Sequence, residues 1–262
     1  MQRGRFYRLS GRIFLVLVLL FLYAPILVMA LMSFNRSEFY VLPIDFSTHW
    51  YSALAENEEI LASAWRSIWI ACVVTVIATA LGTAAALAFF RYSFPGKRIL
   101  QILLFPPIAI PWLITGTAML IFFFSVGIDR GTPAVILGHV ALALPYVIVV
   151  VTARLATFDR TLEEAARSLG ASAWQTTRAV TLPWISSGIV AGALFAFAVS
   201  FDQFVISYFL SEPGDTTLPV IIYSAIRKGF TPEINAISTI IIVISMGLML
   251  AASRFFRFGG ER

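Results

Sequence analysis

The chain has 262 residues, 59% hydrophobic and 13% charged, with a mean hydropathy of +0.87. That is more apolar surface than one water-soluble core hides, and too few charges for a water-facing shell, so a soluble globular domain is excluded. The net charge of +5 and pI near 9.7 would mark a nucleic-acid binder only as a basic face on a soluble domain, so no nucleic-acid partner is expected.

Arg3, Arg5, Arg8 and Arg12 precede the first apolar run, Ile13 to Met32. The run is longer than a secretory signal core and leads into Ser33-Phe34-Asn35 with no small-x-small cleavage site, so it reads as a retained helix. Five further runs of 20 or more residues lack Asp, Glu, Lys and Arg: Ser67 to Phe90, Ile99 to Ile128, Gly131 to Ala153, Ala179 to Phe201 and Ile234 to Ser253. A hydrocarbon core of roughly 30 Å takes about 20 helical residues to cross. The expectation is one all-α integral membrane domain over 1–262 with six transmembrane helices, at about 13–33, 67–90, 99–126, 133–153, 183–210 and 234–254. The short alternating strands of a β-barrel are absent. With an even number of spans both termini share a side, and that side carries 14 Lys and Arg against 5 on the other. The positive-inside rule therefore places the N and C termini in the cytoplasm.

Between the first two spans, Glu56, Glu58 and Glu59 form an acidic cluster that could attract a cationic cargo or dock a receptor, and is read first as a solvated face. The single cysteine, Cys72, falls in the second span and leaves neither a disulfide framework nor a cysteine metal site. Pro106, Pro107 and Pro111 remove amide donors from the third span and break its helix; such backbone at membrane depth must be packed in protein or line a cavity. Trp112, Thr115 and Thr117 follow and are candidates to line a path or to pack between helices. His49 and His139 lie far apart with no metal-binding spacing, so no metal site is expected.

The loop 158–182 is the most informative segment. Thr161 to Glu164 has capping-box spacing, Leu162, Ala165, Ala166 and Leu169 make a narrow apolar stripe, and Gly170 stands where a left-handed cap belongs. Ser172 to Gln175 offers a second capping box, opening a helix expected to end near Leu182 and Pro183, with Pro183 starting the fifth span. In that span Asp202 lies roughly 28 Å along the helix from Pro183, near the outer face. A carboxylate beside Phe201, Phe204 and Tyr208 suits a cation by charge pairing and cation–π contact; equally it could cap a helix end or pair with Arg227 or Lys228. Beyond a turn at Glu212-Pro213-Gly214-Asp215, residues 218–227 read as a short amphipathic piece, and Thr231-Pro232-Glu233 as the cap of the sixth span.

Glu164-Ala165-Ala166, Gly170 and Val180-x-Leu182-Pro183 resemble the EAA loop of ABC importer permeases, with Val180 in place of that motif's isoleucine. The resemblance implies a type I importer permease (MetI-like) fold in a bacterial inner membrane. Glu164, Ala165, Ala166, Gly170, Leu182 and Pro183 would then belong to a coupling helix docked on an ABC ATPase dimer. Tyr23-Ala24-Pro25, Ser33-Phe34-Asn35, Trp50-Tyr51, Arg91-Tyr92-x-Phe94-x-Gly96-Lys97, Ser200-Phe201-Asp202, Leu218-Pro219 and Pro232-Glu233-x-Asn235-Ala236 resemble the PotC-type permease subunit of spermidine/putrescine importers. That likeness implies a polyamine or related organic amine as cargo, a homologous PotB-like second permease and a periplasmic binding protein. Where that branch carries two adjacent acids, this chain has Asp202-Gln203; opines, amino-acid derivatives, iron and thiamine remain alternative cargoes. No phosphate-binding G-x-x-x-x-G-K-[ST] loop is present, so ATP and Mg belong to the partner ATPase and no cofactor is expected on this chain. A secondary carrier would need internal repeats and several intramembrane charges, and an enzyme a nucleophile–base pair; neither is visible, and no catalytic residue is assigned.

Overall fold

The computed structural model describes residues 2–38, 41–228 and 232–258, with side chains described for 11–38, 41–228 and 232–247. Thr231 and the side chains of Arg3, Arg5, Arg8, Arg254, Arg257 and Arg262 lie outside the described residues. In chain order the helices are α1 (Gln2–Met32), α2 (His49–Glu56), α3 (Glu58–Arg91), α4 (Lys97–Leu103), α5 (Pro106–Ala109), α6 (Trp112–Ser125) and α7 (Thr132–Leu155). Then follow α8 (Thr161–Ser168), α9 (Ala173–Thr176), a π-helical turn (Thr177–Thr181), α10 (Leu182–Phe201), α11 (Phe204–Leu210), α12 (Leu218–Lys228) and α13 (Glu233–Phe258). Among the described residues there is no strand; the one β feature is an isolated Asn35–Phe46 bridge.

Four helical stretches are long and apolar enough to cross a bilayer: Gly11–Met32, Glu58–Arg91, Thr132–Leu155 and Ala173–Phe201. A bent pair, Lys97–Ala109 with Trp112–Ser125, makes a possible fifth, and Glu233–Gly247 is a shorter apolar helix. The helix break expected from the prolines of the third span is present as two arms that meet at 112°. Its cause is local: Ile110, preceding Pro111, is driven to an extended backbone (ψ 134°), and Pro111 itself has ψ 130°. Residues 183–210 also divide, because Gln203 is extended (ψ 93°) between α10 and α11.

The chain forms two compact units. In the first, Met1–Leu61 with Ile222–Arg262, the Ser33-Phe34-Asn35 and Trp50-Tyr51 motifs close into one knot. Trp50 Nε1 donates to the Asn35 carbonyl (2.7 Å), Ser33 Oγ and Tyr51 Oη share a hydrogen bond (2.7 Å), and Phe34 stacks on Phe46. Asn57 Nδ2 donates to Glu233 Oε2 at the start of α13 (3.1 Å). The apolar stretch of α1 is unburied along its length, as expected of a helix whose surroundings are lipid or another subunit.

The second unit, Ala62–Ile221, is built on α7 and α10. Gly188, Gly192, Ala196 and Ser200, every fourth residue of α10, are all buried and let the two backbones approach closely. A Cβ added at Gly192 would stand 3.2 Å from Val147 Cγ1. The same valine lies 2.7 Å from a Cβ added at Gly82 of α3. Val74, Ala78, Leu142, Val151 and Ile185 fill the core around it. At the other end of the unit, loop 211–217 is pinned by an Arg66–Asp215 ion pair (2.6 Å), by Thr132 donating to Asp215, and by the Leu218 amide on Ser67 Oγ (2.8 Å). Gly214 makes the turn there with φ +84°.

Candidate functional site

The loop 158–182 folds into α8, a turn, α9 and the π turn. Its first cap differs from the capping box expected at Thr161 and Glu164: Thr161 is already helical, and its amide donates to Asp159 Oδ1 (2.9 Å). Aspartate two residues upstream captures the free amide first, because a short carboxylate reaches it without helical geometry of its own. That backbone hydrogen bond holds the Asp159 carboxyl below the usual carboxylate range. At the other end, Gly170 has φ +89°, its amide donates to the Arg167 carbonyl (2.9 Å), and the Ala171 amide reaches the Ala166 carbonyl (3.1 Å). These two bonds form a Schellman cap, which requires the left-handed residue. The second capping box is formed as written in the sequence, Ser172 with Gln175 in both directions.

No break follows. Residues 173–201 run on as one helix, which corrects the separate helix expected to end near Leu182 and Pro183. The Leu182 amide donates to the Thr177 carbonyl, five residues back. Pro183 explains the widened turn: it has no amide, and its ring would collide with the carbonyl four residues earlier, so the ladder opens just ahead of it.

The two faces of α8 differ sharply. Outward stand Leu162, Glu164, Ala165 and Leu169, which is 89% exposed, with Trp174 of α9 exposed nearby. Inward, Glu163 is buried: its Oε1 accepts from Arg91 Nη2 (2.5 Å) and from Thr181 Oγ1 (2.5 Å). Arg91, the last residue of α3, also donates from Nη1 to Thr177 Oγ1 (2.7 Å) and from Nη2 to Thr181 Oγ1 (3.0 Å). Arg160 adds a bond to the Phe90 carbonyl (2.6 Å) and lies 4.4 Å from the Phe90 ring centroid. Burial alone would raise the Glu163 carboxyl; hydrogen bonds from Thr181 and Arg91, with the charges of Arg91 and Arg167, outweigh it and hold the group below its ordinary 4.5. Glu163 and Arg91 had no role in the loop as read from sequence. The spacing that marks Glu164, one residue on, points its neighbour to the opposite face of the helix, and that was the available signal.

Around Asp202 the structure brings together less. The residue ends α10, is exposed, and has no ion-pair partner among the described residues. Phe201 stacks on Phe197 (5.8 Å), while Phe204 and Tyr208 lie one turn apart and 5.5 Å from each other. Thr115 Oγ1 and Thr117 Oγ1 turn back on the carbonyls of Pro111 (3.5 Å) and Leu113 (2.8 Å). Trp112 is exposed at the start of α6, and α6 packs on α11 where Gly116 meets Val205, Ile206 and Phe209. Behind the break, His139 of α7 is buried and bonded on both ring nitrogens, Nδ1 to Ser200 Oγ (2.9 Å) and Nε2 to Ser207 Oγ (3.1 Å). It joins the last turn of α10 to α11. A cavity of about 600 Å³ lined by Phe123, Phe124, Asp129, Arg130, Leu210 and Glu212, among others, does not include Asp202.

Comparison with known proteins gives the family. Residues 78–259 match the family described as "Binding-protein-dependent transport system inner membrane component". The chain is 34% identical over 244 residues (93% of this chain, 92% of the relative) to the spermidine/putrescine transport system permease protein PotC of Escherichia coli (strain K12). It is 37% identical over 237 residues (88% and 84%) to the putrescine transport system permease protein PotI of the same strain. Among solved structures, a bacterial ABC transporter involved in the import of the acidic polysaccharide alginate superposes with a TM-score of 0.76 at 15% identity, covering 98% of each chain. The MetNI methionine ABC transporter does so at 0.61 and 21%, over 77% of this chain and 98% of that one. These two show the fold. A chain matched over most of its length by this family, with the same helical architecture, belongs to the inner-membrane permease components of binding-protein-dependent ABC importers.

Proposed function

We propose that the chain is one of two permease subunits of a bacterial inner-membrane importer for polyamines, with a homologous PotB-like partner, an ABC ATPase dimer on the cytoplasmic side and a periplasmic binding protein delivering the cargo. Six crossings with both termini cytoplasmic place the loop 158–182 toward the ATPase, which holds the ATP and Mg. The observation that carries this reading is the two-faced α8: Leu162, Glu164, Ala165 and Leu169 are turned outward while Glu163 anchors the helix from behind. An open helix side that carries Leu162 and Leu169 beside Glu164 suits a cleft on a second protein. The names of the relatives, putrescine and spermidine permeases, support the cargo. Asp202, exposed and unpaired among described residues, with Phe201, Phe204 and Tyr208 near the same helix break, supplies a carboxylate and aromatic faces suited to an organic dication.

Binding shifts the assembly between two packings: ATP favours the closed ATPase dimer, α8 follows it, and the spans reorient. Leu169→Glu tests the docking face. Because the side chain is already solvent-facing, membrane insertion should be unchanged while ATPase copurification and putrescine uptake fall at least tenfold. Uptake at the unmodified level would remove α8 from the interface.

A further inference from the structure

The covalent chain links the coupling helix α8 to α7 on one side and, through the π turn, to α10 on the other; it has no direct link to α3. Arg91 supplies one. Its guanidinium sits at the cytoplasmic end of α3 and holds three groups from two different elements: the Glu163 carboxylate of α8, and the hydroxyls of Thr177 and Thr181. Those threonines are the first and last residues of the π turn, and both are buried. Glu163 closes the ring by accepting from Thr181 as well. Arg160 repeats the link from the start of α8 to the Phe90 carbonyl. A planar fork holds two hydroxyls and a carboxylate from two separate nitrogens at once, a spread that the single nitrogen of a lysine lacks.

We infer that Arg91 is the positioning residue that binds α8, the π turn and the foot of α3 into one rigid body, so that movement of the coupling helix is delivered to α3 and α10 together. The inference rests on the importer reading above and extends it to a third span. A π turn is a weak place in a helix, since its hydrogen bonds are strained relative to the α ladder on either side. Left unbraced it would absorb a pull on α8 by local bending. Bridging its two ends with one guanidinium stiffens it at the point where force enters the membrane helix. Arg167 and Glu164, which share a cleft of about 260 Å³ with Arg91, Arg160 and Glu163, lie toward the open side and leave the brace intact.

The test uses the full complex in proteoliposomes, in a Cys72→Ser background, with radiolabelled putrescine and the cognate binding protein. Arg91→Gln and Glu163→Gln should each lower ATP-driven uptake at least tenfold while the ATPase still copurifies, and Arg91→Lys should fall between. The exchanged pair, Arg91→Glu with Glu163→Arg, should recover at least a third of the lost rate, because threonine hydroxyls serve either partner as donor or acceptor. A second arm does not depend on cargo: spin labels at Tyr92→Cys and Ser168→Cys should keep one separation in nucleotide-free and ATP-trapped states, and in Arg91→Gln that separation should change with nucleotide. Unaltered uptake by Arg91→Gln, no recovery in the exchanged pair, or a nucleotide-dependent separation in the unmodified protein would overturn the inference. Absence of ATP-driven uptake by the unmodified complex would instead overturn the polyamine-importer reading, and the label separation would still decide the brace.

Discussion

Glu163 and Glu164 are adjacent carboxylates with opposite surroundings. The helical step of about 100° between neighbours sends Glu164 to the exposed face and Glu163 onto Arg91 and Thr181. Since folding lowers the Glu163 carboxyl from its ordinary 4.5, its contribution to stability is complete above about pH 4.5 and is lost as pH falls through the lowered value. Thermal unfolding of the solubilised protein followed from pH 8 to pH 4 should therefore be flat on this account until the acid end. Glu163→Gln should remove that acid limb and lower stability at neutral pH, by on the order of 1–3 kcal/mol, because the half-buried Arg91 is left without its counter-charge. Glu164→Gln should do neither. A Glu163→Gln protein as stable at pH 7 as the parent would show that the ion pair contributes nothing net. The motif pointed to Glu164 by resemblance; Glu163 was legible only through helical geometry combined with a partner 72 residues away in the chain, and spacing along one loop cannot find such a partner.

At the scale of elements, small residues and prolines decide the arrangement. The stripe of Gly188, Gly192, Ala196 and Ser200 lets α10 lie close against α7, and a Cβ at Gly188 would meet Arg154 Cβ at 2.7 Å, a contact between stiff atoms that cannot yield by a rotamer change. Gly188→Leu should cost several kcal/mol by overpacking and depress the level of folded, detergent-extractable protein, whereas Leu194→Ala on the exposed face of the same helix should be near neutral. Fluorescence-detected size exclusion of the two variants separates them. The break between α10 and α11 is held from behind by His139, whose two serine partners come from either side of it. His139→Leu should weaken the fold by roughly 1–3 kcal/mol through loss of both bonds, and His139→Gln, which keeps a donor and an acceptor, should recover part of this in the same assay. In the third span the prolines forecast a break, and the 112° turn is the consequence; its angle depended on which residue took the extended backbone, here Ile110.

On the scale of the whole molecule, the uneven distribution of Lys and Arg, 14 on one side and 5 opposite, predicts that the richer side faces the cytoplasm. In the Cys72→Ser background, Ser168→Cys in α8 should react with a membrane-impermeant maleimide only when inverted vesicles expose the cytoplasmic face. Asp129→Cys in the 126–131 loop should react only from the other side. Labelling of both from one side would end the assigned topology. The long exposed apolar face of α1 needs lipid or a second subunit, which accords with a protein that works as part of a larger assembly.

Local pattern determined the helices themselves, the left-handed cap at Gly170 and the Ser172 capping box, because each depends on residues a few positions apart and on backbone preferences that act without distant neighbours. The Arg91 brace, the His139 pin and the close seating of α10 on α7 belong to the tertiary structure alone. They join residues 61 to 90 positions apart or require knowing which face of a helix meets which neighbour, and in a chain apolar on nearly every side hydrophobic periodicity does not say which face that is. The π turn was decided between the two: Pro183 supplies the local cause, and the hydroxyls held by Arg91 supply the surroundings in which a widened turn persists.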